Sequence, residues 1–297
     1  MKQPKGIILA LVCLGIVFSI AIKSDSATDK LLHYQTIERS SASSKQYTIH
    51  ALTIPGNDRY TVSPTIAGDL QEIADFAQNN VVAAINGGYF DPENQKTTSF
   101  MVENSQIVAD PRFNERLVDN LDLKPYLQKI FNRTEFRRYS CEGATRYDIK
   151  LHSAPIPNNC TLIESLGGGP GLLPKNTSVI EGFVAYQDGE KIRDAIGNDS
   201  PNARSAVGIT QTGDVILAMV AQQPDAPLDS GISLAQLAQE MSNLGAVRAM
   251  NLDGGSSASL YYDGKSIYGR VDKEGNRIIR PIKSALVVTP RAKFLSK

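Results

Sequence analysis

The run 251–257 (NLDGGSS) constrains this chain more than any other stretch. It follows an apolar, strand-like segment, 246–250 (AVRAM), and ends it on a carboxylate, two glycines and two hydroxyls. A buried strand stopping there delivers Asp253 to a point where the backbone turns sharply at small steric cost. Glycine doublets also admit a ligand close to the main chain, and their N–H groups can form an anion-binding concavity. Two readings stay open at this point: an ordinary Asp-Gly hairpin turn, or the edge of a binding site.

The same order recurs upstream. Residues 81–85 (VVAAI) read as a short buried strand running into Asn86, Gly87 and Gly88. Before it, 69–79 (DLQEIADFAQN) has a capping-box pattern, Asp69 with Glu72, and an apolar face of Leu70, Ile73, Phe76 and Ala77. Before the later strand, Ser233 with Gln236 caps a helix whose face is Leu234, Leu237, Ala238, Met241 and Leu244, and Gly245 stops it. Helix, short strand, Asn and Gly-Gly thus occur twice, which suggests two equivalent corners facing one cleft.

Further along, 166–171 (LGGGPG) is a glycine-dense loop holding Gly168 and Gly169. Residues 202–208 (NARSAVG) set Arg204 beside an apolar strand, and a turn at 211–214 (QTGD) leads into 215–221 (VILAMVA) as a hairpin. Residues 46–54 (QYTIHALTI) alternate, with Tyr47, Ile49 and Ala51 on one side and His50, Leu52 and Ile54 on the other. His50 is read as structural. The charged, aromatic stretch 110–150 lacks a clear period and reads as a rim, with Arg133, Arg137 and Arg138 on a solvated face. Segments 257–262, 266–268 and 284–289 close the fold. The expectation is a single α+β domain over 46–297: mixed, largely antiparallel sheets with a few packed helices.

Residues 1–28 stand apart. Lys2 and Lys5 precede an apolar run over 6–22, and Lys23 opens a polar stretch. This is the layout of a signal peptide or an N-terminal anchor, so export to a periplasmic or extracellular setting is expected, with membrane attachment through 6–22 if the leader stays. The Ser-rich 29–45 reads as a linker. Cys141 and Cys160 are then the two cysteines left in the mature chain. In an oxidising compartment they close a disulfide worth about 3 kcal/mol on the chain-entropy view; two separate buried thiols are the alternative.

Lys+Arg and Asp+Glu both number 31, so no net field favours nucleic acid. The three histidines, His33, His50 and His152, lie near neither a cysteine nor one another, which disfavours a zinc site. Ser256 and Ser257 sit in no G-x-S-x-G elbow, and the glycine loop lacks the Lys-Ser/Thr ending of a phosphate loop. What remains is an anion-plus-polyol pocket. Arg204 supplies a fork for phosphate, glycine amides add donors, Asn86 and Asn251 meet hydroxyls or an acetamido group, and Asp253 moves a proton. No cofactor is required on this reading; a divalent ion would draw on Asp253, Asp91 and Asn251. Asp91, in Asp91-Pro92, is equally a turn residue.

The ordered set NGGYF (86–90), LGGGPGLLP (166–174), NARSAVG (202–208), SLAQLAQEMSNLGA (233–246) and NLDGGSSASL (251–260) resembles the phosphodiester glycosidase family, over roughly residues 45–290. The resemblance implies hydrolysis of a sugar-1-phosphate diester on the sugar side, in a glycan or glycoconjugate of the cell envelope. Carried onto this chain, it implies Asp253, Arg204 and Asn86 as catalytic residues. Gly87, Gly88, Gly168, Gly169, Asn251, Gly254, Gly255 and Ser256 would line the substrate. Ser205 stands where Thr is common in the family, which keeps the hydroxyl. Two other functions remain open: a non-catalytic glycan- or polymer-binding protein on the same fold, and a metal-dependent phosphodiesterase.

Overall fold

The computed structural model describes residues 31–41 and 44–291. The expected leader, 1–28, lies outside the described residues. Among those described, no helix is long and apolar enough to cross a membrane.

Three antiparallel sheets carry the fold. The six-stranded sheet has the order His33–Ser41, Ser44–Ile54, Val215–Ala221, Arg204–Thr210, Ala246–Asn251, Gly171–Leu173. A five-stranded sheet runs Lys265–Tyr268, Ser259–Tyr262, Ala83–Asn86, Ile282–Pro290, Tyr60–Gln71. A second five-stranded sheet runs Gln106–Ala109, Met101–Glu103, Cys160–Gly167, Thr134–Cys141, Ala144–Leu151. Strand makes up 46% and helix 12%, so the protein lies at the β-rich end of the expected α+β class. Every strand pairing described is antiparallel, and the mixed component that was expected is not found.

The six-stranded sheet is covered on both faces, which explains why its central strands are apolar at every position. Along Val215–Ala221, Val215, Leu217, Met219 and Ala221 face a core shared with Ile85, Leu260 and Leu286 of the second sheet and Phe136 and Leu166 of the third. Ile216, Ala218 and Val220 face the opposite way, onto Leu234, Leu237 and Met241 of the helix Leu234–Asn243. That helix begins as expected, with Ser233 Oγ accepting from Gln236 N and Gln236 Oε1 from Ser233 N. The two-sided assignment of Tyr47 to Ile54 also holds, with Ile49 and Ala51 toward the helix and Leu52 and Ile54 toward the shared core. His50 is bonded to Tyr34 Oη at 2.8 Å, and burial pushes its pKa down to about 4.

Three expectations are corrected. Residues 33–41, inside the expected linker 29–45, pair along nearly the whole of Ser44–Ile54, and Arg39 reaches Glu240 through two 3.1 Å contacts. The expected helix 69–79 is a strand end and one 3₁₀ turn, Ile73–Phe76. Tyr60–Gln71 ladders onto Ile282–Pro290 as far as Gln71, and that pairing overrides the local helix pattern. The box forms three residues later, with Glu72 N donating to Asp75 Oδ2. The supposed rim contains the paired strands Thr134–Cys141 and Ala144–Leu151, with Phe136 and Tyr139 fully buried. Its arginines are not solvated. Arg137 pairs with buried Glu135 at 2.8 Å and Arg138 with Glu164 at 2.7 Å, while Arg133 stacks 3.9 Å above Phe183. Paired charges at inward positions hid the alternation. Cys141 and Cys160 are disulfide-bonded.

Candidate active site

Each sheet sends one strand to the same junction. Ala83–Asn86, Ala246–Asn251 and Cys160–Gly167 all end there, and the glycines after them let three backbones meet. Asp253 N donates to Gly87 O at 3.0 Å, Gly169 N to Asn251 O at 2.9 Å, and Gly168 N to Thr134 O at 3.0 Å. A Cβ on Gly88 would overlap the carbonyl oxygen of Gly167, and one on Gly87 would overlap Ser284. The corners 86–88 and 251–255 therefore touch, although a 3₁₀ turn and no α-helix precedes the first of them, and only the second lines the pocket with its glycines.

The amides of Gly87, Gly168, Gly169, Gly254 and Gly255 were expected to help hold an anion. They are occupied within the protein: Gly87 N by Ser284 O, Gly255 N by Ala203 O, and Gly254 N by Asp253 Oδ1. Gly87 and Gly168 serve close approach of main chains, while Gly254 and Gly255 also line the pocket beside Asp253.

Asn86 likewise has its side chain engaged within the protein. Its Nδ2 donates to Asp253 O at 2.6 Å, and its Oδ1 accepts from Ser205 Oγ at 2.6 Å and Ser259 N at 3.1 Å. It is a buried clamp that ties the 86–88 corner to Asp253, Ser205 and Ser259. Asn251 differs. Its Nδ2 donates to Tyr89 Oη and Leu252 O, both at 2.6 Å, but its Oδ1 is buried without a partner. An orphaned acceptor is costly unless something donates to it.

Arg204 was expected to fork onto phosphate. Its guanidinium instead donates to four main-chain carbonyls: Ile232 O from Nε, Ile196 O from Nη1, and Gly197 O and Ser200 O from Nη2. It ties the 196–200 loop to the first residue of its own strand.

Asp253 lines a pocket of about 220 Å³ together with Tyr89, Asn251, Ser256, Arg270 and Arg280, and the expected site residues Arg204, Gly254 and Gly255 stand on the same lining. Asp253 keeps one face open to the pocket and is packed in protein on the others. Burial pushes its pKa up to about 6, against the pull of the Arg280 charge and the Gly254 N–H. Ser256 Oγ accepts from Arg280 Nη1 at 2.9 Å. Asp91 lies in a turn, accepting from Glu93 N and Arg116 Nε, and does not reach the pocket. Two larger clefts, about 380 Å³ and about 730 Å³, contain none of the motif residues, so size does not identify the site.

Sequence reasoning missed Arg270, Arg280 and Tyr89. The arginines fall in 269–280 (GRVDKEGNRIIR), a polar stretch between closing strands with no recognisable spacing. The one available signal was two arginines bracketing a segment that follows the DGGSS corner. Among the described residues, no group of three or more His, Cys, Asp or Glu is arranged to hold a metal ion.

Three sheets meeting at glycine corners around one pocket-facing carboxylate define a β-rich fold with a small, polar, arginine-lined site. Residues 79–289 match the sequence family described as phosphodiester glycosidase, and the chain belongs to that family. Its structure is similar to the zebrafish N-acetylglucosamine-1-phosphodiester alpha-N-acetylglucosaminidase catalytic domain auto-inhibited by its pro-peptide. There the TM-score is 0.65 at 16% identity, covering 89% of this chain and 85% of that one. A hypothetical protein from Synechocystis gives 0.57 at 16%, covering 88% and 62%. A Burkholderia pseudomallei K96243 protein, assigned as exported, gives 0.57 at 15%, covering 83% and 74%. No curated protein matches the sequence.

Proposed function

We propose that this protein is an exported glycosidase that hydrolyses a sugar-1-phosphate diester in an envelope glycan or glycoconjugate, with an N-acetylglucosamine-like sugar. The observation that carries the reading is Asp253, a carboxylate held near pKa 6 on the wall of an arginine-lined pocket. Membership of the phosphodiester glycosidase family supports the reaction class. The name of the zebrafish relative supports the sugar. The leader-like 1–28 and the exported Burkholderia relative support the location.

In this reading Asp253 acts on the anomeric carbon, as nucleophile or as base for water. A carboxylate near pKa 6 is ionised at neutral pH and still basic enough to take a proton. The departing phosphate is a weak base and needs little protonation, so no second carboxylic acid is required, unlike the usual glycosidase pair. Cationic groups on the pocket wall stabilise the charge that grows on the leaving group. Asn251 stands on the same lining, where its Nδ2 donates to the Tyr89 hydroxyl.

The test is a panel of sugar-1-phosphate diesters incubated with the purified protein, with and without chelator. Free sugar released by wild type and not by Asp253→Ala supports the reading. Sugar phosphate as product, lost with chelator, would replace it with a metal-dependent phosphodiesterase. Binding of sugar diesters without release of either product would leave a glycan-binding protein.

A further inference from the structure

Three arginines line the pocket, Arg204, Arg270 and Arg280, and the last two have little to do inside the protein. Arg280 makes one hydrogen bond, to Ser256 Oγ at 2.9 Å, and lies 5.1 Å above the ring centre of Phe90. Arg270 makes one weak contact, Nη1 to Asn202 Oδ1 at 3.3 Å. Among the described residues neither has a carboxylate within ion-pair distance, although most arginines of the fold are paired or bonded to several carbonyls. Arg280 is near enough to Asp253 to act on its charge, yet no ion pair closes the gap between them. A guanidinium offers five donors in a planar fork, so each of these side chains presents unused donors to the pocket.

The backbone beside them is arranged for the same purpose. Gly255 has φ of +59°, which a side chain strains, and a Cβ there would sit 3.3 Å from Arg270 Nη1. A side chain there would crowd the guanidinium. Arg204, by contrast, has its donors committed to the carbonyls of Ile232, Ile196, Gly197 and Ser200.

We propose that Arg270 and Arg280 together form the anion clamp of this pocket, holding a phosphodiester monoanion between them and Asp253, while Arg204 is a positioning residue. This rests on the phosphodiester reading of the site for the identity of the anion. The two arginines differ in depth: Arg280 is half-buried and Arg270 exposed. The phosphate therefore sits at the mouth, with the sugar inward toward Asn251 and the group beyond the phosphate outside the pocket. A space of about 220 Å³, smaller than the roughly 300–1,000 Å³ of sites that enclose drug-sized ligands, fits that division.

The test measures binding apart from turnover. Full-length protein is titrated with diethyl phosphate by calorimetry, for wild type, Arg270→Gln, Arg280→Gln, the double variant and Arg204→Lys. Each single Gln variant should weaken binding about ten-fold and the double variant about a hundred-fold, with the melting temperature near wild type. Arg204→Lys should instead lower the melting temperature, because an ammonium cannot bridge four carbonyls. Diethyl phosphate affinity within two-fold of wild type in the double variant would overturn the proposal. So would loss of affinity in Arg204→Lys at unchanged melting temperature. Arginine-dependent diethyl phosphate binding in a protein that releases no sugar from any diester would sustain the clamp and sink the proposed activity.

Discussion

The side-chain amide of Asn86 donates to the main-chain carbonyl of Asp253 at 2.6 Å, while Asp253 N donates to Gly87 O at 3.0 Å. One corner of the fold thus grips the other at the carboxylate proposed to carry the chemistry. The grip crosses from one sheet to another, so the carboxylate is positioned by tertiary contact.

Asn86→Ala removes the donor to Asp253 O and the acceptor for Ser205 Oγ and Ser259 N. Buried partners left unsatisfied cost roughly 1–3 kcal/mol each, so denaturant unfolding should show a loss of about 3 kcal/mol. Activity should fall as well. Wild-type stability in this variant would show that the corner is held by other means.

Asp253→Asn keeps the shape and removes the base. Turnover of a sugar-1-phosphate diester should drop about 10²–10⁴-fold. For the wild type, kcat/KM should fall as pH drops through about 6, where Asp253 protonates. A pH profile without that acid limb would point to another group.

The same substitution should stabilise the protein at neutral pH. Burial raises the Asp253 pKa from 3.8 to about 6, so the fold prefers the protonated acid. Its favourable contribution is fully present below about pH 4 and is lost as pH rises through 6, amounting to at most about 3 kcal/mol. Asp253→Asn should therefore match the wild type near pH 4 and exceed it at pH 8. Equal melting temperatures at both pH values would contradict the burial cost.

Gly88→Ala places a methyl group against the carbonyl oxygen of Gly167, and both neighbours are main chain. Overpacking typically costs about 1–3 kcal/mol, and rigid backbone puts this site at the upper end. Thermal unfolding should show it, while Gly143→Ala, in open space at φ of +86°, should lose less.

The Cys141–Cys160 bridge closes a separation of 19 residues and lies at the far end of its strand from Gly167. Replacing both cysteines by serine should cost about 3 kcal/mol on the chain-entropy view and leave kcat unchanged. A matching loss of kcat in the folded variant would link the bridge to the site.

The sequence alone determined the local pieces. Alternation and apolar runs marked the strands at 46–54 and 215–221, and the Ser233 box marked its helix, because those signals act over a few residues. The glycine corners marked where backbones meet. What each polar group does was decided only in three dimensions. Arg204 looked like a free fork until the 196–200 loop supplied its carbonyl partners. Arg137 looked solvated until Glu135 lay beside it. Arg270 and Arg280 carried no motif, since their meaning lies in the partners they lack. Residues 69–71 kept helix-like chemistry but became strand because Ile282–Pro290 offered a ladder. Asp253 stood out in the sequence by its neighbours; its burial, its raised pKa and the grip of Asn86 came from sheets that are distant along the chain and adjacent in space.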